Sequence, residues 1–492
     1  FTGSSTYATF AANELSRSPA VFVAANDGML HAFDAGTGTE TFAYIPGAVI
    51  TNGLATLSNP NYGAVASVPH QFFNDGELTI ADVYYSSNWH TVLVGTTGRG
   101  PAKAIYAFDV TDPTNIQFLW ERSSGDGLTN SGYIGQMTGK PVIAQTADGT
   151  WSVLMGNGYN STNGTAALLQ FDIQTGALTA YATDASTSNG LSAPAVWLAD
   201  PTNGLSTTAY AGDLLGRVWS FDLTATNTGY TGTKLFTATN SSGIAQPITS
   251  GLLAGKDPVT GNVWVFFGTG EYLNSGDLTN LQTQSWYGLI VQSATTSLVS
   301  NLLSQGRSAL VQRNIVAEVA PNPSATPPTL GARAFTPLPT PNGMAGKSGW
   351  YIDLTSPING AEGERMVTPN QFQGSLLVGT SRIPQATDVC NPSGRGWIMA
   401  LDPFTGTNPP AVFFDINGDG KFDTSDMIAA TINGATVYLP AGGVGFSSLP
   451  NNPIFVGNTM LVSFDNGKTS SLNTAGSVGS LKRVSWREIV NQ

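Results

Sequence analysis

"VFVAANDGMLHAFDAGTG", Val21–Gly38, sets two short apolar runs on either side of a polar, glycine-bearing turn. The first run closes on alanine. The second closes on Phe-Asp and meets another turn. Val and Phe favour extended chain and Asn-Asp-Gly favours a reversal, so the stretch reads as a β-hairpin. The pattern returns six times, at Val92–Asp109, Val153–Gly176, Ala209–Asp222, Leu376–Gly406 and Ile454–Gly467, with a degraded copy split between "VFFGTGEYL" (from Val265) and "SWYGLIV" (from Ser285).

Around the sixth copy, "GWYIDL" (Gly349–Leu354) and "ERMVT" (Glu364–Thr368) read as two further strands, giving a four-stranded unit. Four-stranded units repeated about an axis make a β-propeller, which leaves only short protected edges. Seven hairpins predict an all-β, seven-bladed β-propeller as one domain over residues 1–492, modified by loop insertions. The irregular spacing fits insertions on a propeller better than a β-sandwich or a β-solenoid. The Pro-rich stretch 320–343 is expected as an insertion loop outside the blades. Residues near Thr6–Phe10 and "RVSWREIV" (Arg483–Val490) are the strands expected to close the ring.

Composition agrees with this reading. The 492 residues include 57 glycines, and only 11% are charged. A formal net charge of −12 repels phosphate backbones and anionic lipid, which sets nucleic acid aside as a partner. One cysteine, Cys390, excludes an intrachain disulfide and any multi-cysteine metal site; it is expected in a surface loop. No apolar run reaches the length of a membrane-spanning helix. The chain starts without a signal peptide and reads as a C-terminal portion of something longer.

One stretch spends the scarce charge densely. "FFDINGDGKFDTSDM" (Phe413–Met427) follows an apolar run with acidic and amide side chains at alternating positions. An EF-hand loop draws oxygens from its positions 1, 3, 5, 7, 9 and 12, with Gly at 6 for the bend. Counted from Asp415, those positions are Asp415, Asn417, Asp419, the Lys421 carbonyl, Asp423 and Asp426, with Gly420 at the bend. Position 12 carries the shorter Asp in place of the bidentate Glu, and the preceding segment reads as a strand. The prediction is an EF-hand-like Ca²⁺ loop over 415–426, set into β-structure, with Asp415, Asn417, Asp419, Lys421 and Asp423 as metal residues. An Asx-rich turn alone accounts for two of these residues but not for their alternation.

Other motifs carry less. "GTTGRGPAK" (Gly95–Lys103) has Pro101 where a phosphate loop needs Lys, and it lies in a hairpin. No Gly-x-Ser-x-Gly elbow occurs. His31, His70 and His90 are far apart and read as packed or surface residues. No catalytic set emerges, and the chain is read as a non-enzyme.

Several stretches together resemble the PilY family, the type IV pilus tip-associated adhesins and biogenesis factors. They include "VFVAANDGMLHAFDAGTGTETFAYIP" (Val21–Pro46), "HTVLVGTTGRGPAKAIYAFDVTDP" (His90–Pro113), "GKPVIAQTADGTWSVLMGNGYNS" (Gly139–Ser161), "AYAGDLLGRVWSFDL" (Ala209–Leu223) and "RVSWREI" (Arg483–Ile489). The resemblance implies a C-terminal propeller with a calcium loop, the family's calcium residues falling on Asp415, Asn417, Asp419 and Asp423 with the Lys421 carbonyl. It implies a role in pilus assembly, extension against retraction, twitching motility and surface attachment. It also implies minor pilins and host or abiotic surfaces as partners, and a place at the pilus tip, extracellular and outer-membrane associated. Two other readings stand beside it. One is a pyrroloquinoline-quinone-type propeller dehydrogenase, which often sets adjacent cysteines beside its cofactor. The other is a metal-independent propeller scaffold for envelope assembly.

Overall fold

The strands at the centre of each repeat are apolar at nearly every position, and the structure shows why. In Trp151–Gly156 and Val263–Gly268 every residue is buried, because both faces of the strand are covered. Strands at a sheet margin alternate instead, as in Ala20–Ala24, where every second residue is exposed. The computed structural model describes residues 1–65, 67–224, 230–322, 324, 329–385 and 393–476.

Seven antiparallel blade sheets follow one another along the chain. The first has three strands, Ala20–Ala24, Leu30–Asp34 and Glu40–Tyr44. The second, third and fourth have four each, beginning at Leu78–Tyr85, Val142–Gln145 and Ala195–Trp197. The fifth runs Leu253–Lys256, Val263–Gly268, Ser285–Gln292 and Gly349–Asp353, with Val311–Arg313 added in parallel. The sixth has six strands and the seventh three, Ile454–Val456, Thr459–Ser463 and Thr469–Asn473. A separate hairpin, Met427–Ile432 with Ala435–Pro440, is inserted within the sixth blade, between its strands Ser393–Leu401 and Gly443–Phe446. The fold is an all-β, seven-bladed β-propeller, and each of the seven sequence hairpins forms an adjacent strand pair of one blade.

The contacts gather into two compact units where the sequence suggested one domain over 1–492. Among the described residues, the first unit holds Phe1–Asp213 and Trp219–Thr233, and the second holds Leu214–Val218 and the chain from Lys234 onward. In the first, apolar clusters join successive sheets: Leu30 with Leu93 and Phe108, Val94 with Val153 and Phe171, Leu154 with Ala209 and Phe221. In the second, Trp286 and Trp350 share a cluster with Leu377 and Trp397, and Val378 packs with Met460 and Val462.

A five-residue turn, Asp-x-x-Thr-Gly, recurs at Asp34, Asp172, Asp257 and Asp402. At Asp172, Oδ1 accepts from the Gln174 and Thr175 amides and the Thr175 hydroxyl at 3.1, 2.8 and 2.7 Å. The Gly176 amide then donates to the Asp172 carbonyl at 2.9 Å. Asp402 repeats the set with Phe404, Thr405 and Gly406. The closing glycines have positive φ, +69° at Gly176 and +67° at Gly406.

Two of these turns receive a tryptophan from the preceding blade. The Trp120 indole donates to the Ile173 carbonyl at 2.9 Å, and the Trp350 indole to the Pro403 carbonyl at 2.7 Å. Each ring lies against the turn's glycine so closely that a Cβ at Gly176 would stand 2.6 Å from Trp120, and one at Gly406 2.5 Å from Trp350. Gly38 makes the same turn with nothing within 4 Å of that position.

Four sequence expectations are corrected. Ser4–Asn13 is an α-helix, not a strand at Thr6–Phe10, because Tyr7 and Phe10 share a helical face that packs on Trp89. Gly349–Asp353 pairs with Ser285–Gln292 and so belongs to the fifth blade. Glu364–Thr368 is not a strand: Arg365 makes one isolated bridge to Arg382, and the margin of the sixth blade is Gln371–Gln373. The stretch 320–343 is not all loop, since Gly331–Phe335 is a fully buried strand between Ile315–Val319 and Gly443–Phe446. Its apolar residues Ala332, Ala334 and Phe335 are core residues despite the flanking prolines. Arg483–Val490 and Cys390 lie outside the described residues.

The docked tryptophans predict a graded set of substitutions. Gly38→Ala meets only the strain of a positive φ, about 1 kcal/mol. Gly176→Ala and Gly406→Ala must also displace an indole, adding roughly 1–3 kcal/mol of overpacking. Urea denaturation of the three variants measures this; equal losses at all three glycines would show that the rings are not held there.

Candidate functional site

The acidic loop begins where two phenylalanines enter the core. Phe413 and Phe414 are buried in the cluster that also holds Met460 and Val462. The backbone then binds the last blade: the Asp415 amide donates to the Asn473 carbonyl at 3.1 Å, and the Ala475 amide to the Phe413 carbonyl at 2.8 Å. Asp415 is thereby fixed at the foot of the loop, wholly buried.

From there the chain winds around the Asp415 carboxylate. Its Oδ1 accepts from the Gly418 and Asp419 amides at 2.7 and 3.1 Å, and its Oδ2 from Gly420 at 2.9 Å. Positive φ at Gly418 (+75°) and Gly420 (+78°) lets three successive turn amides face one carboxylate. The Asn473 side chain donates to Oδ2 at 3.2 Å. This contact comes from 58 residues away, and nothing in the local pattern announces it.

The outer residues sit on the exposed rim. Asn417 Oδ1 accepts from the Asp419 amide at 2.9 Å, and Asp419 Oδ1 from Lys421 at 2.8 Å. Asp423 accepts from the Ser425 amide and hydroxyl at 2.8 and 2.7 Å, and these bonds hold its carboxyl below the usual range. Asp426 is wholly buried and ties the two ends together, accepting from the Ile416 amide at 2.8 Å and more loosely from Asp423 at 3.3 Å. Burial raises its pKa, with a further contribution from the nearby Asp415 charge.

The structure thus brings Asp415, Asn417, Asp419, Lys421 and Asp423 onto one turn. It does not converge their carboxylates: among the described residues, no three His, Cys, Asp or Glu side chains are grouped so as to hold a metal ion. The side-chain oxygens are engaged by the loop's own amides. The donor set is nevertheless all oxygen, with three carboxylates, one amide and one carbonyl on a glycine-bent turn, which is the chemistry a hard cation such as Ca²⁺ takes. Asp426, whose short side chain left its part open in the sequence, anchors the turn through backbone bonds.

The weaker motifs resolve into ordinary structure. Gly95–Lys103 spans the reversal between Asn88–Thr96 and Ala104–Asp109, with Arg99 paired to Asp75 at 3.1 Å and lying over the Phe72 ring. His90 donates from Nδ1 to the Asp109 carboxylate at 2.6 Å and is stacked on Tyr85. His31 lies between Glu40 at 2.7 Å and Asp27 at 2.9 Å.

The family-model comparison decides the affiliation: a model described as the PilY1 beta-propeller domain matches residues 1–320. This chain belongs to that family. A type IV pilus biogenesis factor PilY1 homolog of Xylella fastidiosa (strain Temecula1) is 44% identical over all of this chain, which spans 37% of that relative. Type IV pilus biogenesis factor PilY1 of Pseudomonas aeruginosa (strain PAO1) is 34% identical over 91% of this chain and 40% of its own length. The chain therefore spans about two fifths of these relatives, and their names are those of biogenesis factors, not enzymes. The crystal structure of the Pseudomonas aeruginosa PilY1 C-terminal domain superposes with a TM-score of 0.71 at 29% identity, covering 95% of each chain.

The His31 arrangement predicts a pH dependence. The Glu40 contact, aided by Asp27, raises its pKa above the ordinary 6.5. A proton held more tightly in the folded state stabilises it fully below pH about 6.5, and that contribution fades as pH rises through the raised value. The thermal midpoint should fall more between pH 6 and pH 8.5 in the parent than in His31→Gln. Parallel profiles would show that the two carboxylates do not hold the proton.

Proposed function

We propose that this chain is the calcium-binding propeller of a type IV pilus biogenesis factor acting at the bacterial cell surface. On this reading it works at the pilus tip, with outer-membrane association. It governs extension against retraction, twitching motility and attachment to host or abiotic surfaces, through contacts with minor pilins. Family membership supports the pilus role. Among the described residues no helix is long and apolar enough to cross a membrane.

The observation that carries the calcium reading is the turn wound on buried Asp415, with Asn417, Asp419 and Asp423 at alternating positions beyond it. These side chains and the Lys421 carbonyl would hold the ion. Bound Ca²⁺ would supply positive charge to a loop whose three Asp side chains otherwise repel one another. The chain's own residues do the rest: Asp426 and Asn473 fix the foot of the loop, so neutralising the rim acts on a surface already tied to the last blade. The loop leads directly into the hairpin that begins at Met427, whose Tyr438 is 70% exposed. A change at the rim would therefore alter what that surface presents to a partner.

Asp423→Ala should weaken Ca²⁺ binding at least tenfold by calorimetry while the thermal midpoint of the metal-free protein stays within about 2 °C. A strain carrying it should show altered piliation or twitching, and Asp423→Lys, which sets an ammonium at the rim, should differ from it in phenotype. Unchanged calcium affinity would remove the metal assignment. Lost calcium with normal piliation, motility and adhesion would leave the loop without a regulatory role.

A further inference from the structure

The hairpin inserted in the sixth blade carries no charged residue from Met427 to Pro440. Its register pairs Ile428 with Leu439, Ala430 with Val437 and Ile432 with Ala435, across a two-residue turn in which Asn433 and Gly434 both have positive φ, 51° and 81°. In such a turn the flanking pair exchanges both of its backbone bonds, and bonded and non-bonded pairs alternate from there. The Ile432–Ala435, Ala430–Val437 and Ile428–Leu439 pairs are therefore bonded inward. The amides and carbonyls of Thr436 and Tyr438 point away from the partner strand. Side chains alternate in step: Ile428 is buried against Ala332 and Ala334 with Leu439 beside it, while Ala429, Thr431, Thr436 and Tyr438 are exposed.

Met427–Ile432 lies against Ile315–Val319 and Gly331–Phe335, which makes Ala435–Pro440 the outer strand. Among the described residues no second strand pairs with it. An open edge is a template for another strand, and folded proteins guard such edges with charge, proline or a bulge. Here the ladder runs without a bulge. Pro440 stands at the strand's end, where its carbonyl already accepts from the Asn408 side chain at 2.9 Å. Thr436 and Tyr438 are left unguarded at mid-strand, and β-branched and aromatic side chains suit cross-strand pairs. The base of the hairpin adjoins the acidic loop: the Ala441 amide donates to the Asp426 carbonyl at 3.1 Å, and exposed Asp423 lies just before Met427 in the chain. Negative charge thus flanks the Pro440 end, while the Asn433-Gly434 end is neutral.

We infer that Ala435–Pro440 is a docking edge for an extended strand of a partner protein, added antiparallel, with a lysine or arginine at the end that meets the acidic loop. Antiparallel addition is the stronger pairing and sets the partner strand's N-terminal end beside Pro440. Backbone bonds to Thr436 and Tyr438 supply the affinity, and side chains packed on Tyr438 supply the selectivity. Two copies of a chain of net charge −12 repel one another, so the strand comes from a different protein. The inference stands on the hairpin's geometry and needs neither bound calcium nor a pilus role.

The test uses the whole chain in calcium-free buffer at low salt with three peptides: acetyl-Lys-Thr-Val-Thr-Val-Thr-amide, the same peptide with Glu for Lys, and the same with Pro for both Val. The lysine peptide should bind, and it should slow deuterium exchange at the Thr436 and Tyr438 amides at least tenfold while Val437, already in the ladder, changes little. The Glu peptide should bind at least threefold more weakly, and the Pro peptide not at all. Thr436→Pro removes an outward amide and spares the ladder, and Tyr438→Lys guards the edge with charge. Each should weaken binding at least fivefold with an unchanged thermal midpoint, and the second serves if the first folds poorly. No binding at about 5 mM peptide, slowing that spares Thr436 and Tyr438, equal binding of the Lys and Glu peptides, binding of the Pro peptide, or binding undiminished in the folded variants overturns the inference. Sedimentation that shows a dimer separated by Tyr438→Lys assigns the edge to a second copy and overturns it likewise.

Discussion

The indole lying on a glycine is the contact on which the blade packing turns. A strand buried on both faces cannot be stable in a lone sheet, so each blade needs a neighbour at a fixed distance and angle. Apolar side chains supply attraction but little direction. Trp120 and Trp350 supply the direction: each spans from the fourth strand of one blade to the Asp-x-x-Thr-Gly turn of the next, donates to the carbonyl of the residue after the Asp and packs against the closing Gly. The Asp and Thr of the turn hold its backbone in shape, and the missing Cβ leaves the ring its place.

The acidic loop is likewise held by bonds from its own side chains to its own backbone. Its turn is set by amides converging on one buried carboxylate and by Asp426 closing the ends, while the exposed Asp side chains stand on the rim. The buried carboxylates that tie the turn together, Asp415 and Asp426, are thus distinct from the exposed Asp419 and Asp423 on the rim. That division lets a rim substitution change electrostatics while the foot of the loop stays attached to the last blade through Asn473.

Charge in this protein is scarce and concentrated. The sixth blade buries Arg333, Glu318 and Glu364 together, an arrangement that costs desolvation and stands only because every partner is in place. A strand carrying such an arginine between prolines does not look like core. The hydrogen bonds that admit it come from Ser356, Ser381 and Glu364, all distant in sequence from Ile315–Val319 and Gly331–Phe335.

The local pattern by itself determined the seven hairpins, because a turn and its two flanking runs are contiguous and their propensities need no partner. It likewise determined the acidic turn, since position, glycine and side-chain type repeat within twelve residues. Tertiary structure alone decided membership and role. Gly349–Asp353 joins the fifth blade because Ser285–Gln292 offers it an edge, and Gly331–Phe335 enters the core because Gly443–Phe446 lies beside it. Ser4–Asn13 is a helix because Trp89 rewards a face with period near four. Asn473 reaches Asp415, and Glu362 meets Arg395, only after the blades are stacked. Such contacts depend on distances between residues far apart along the chain, and no periodicity within a strand encodes those distances.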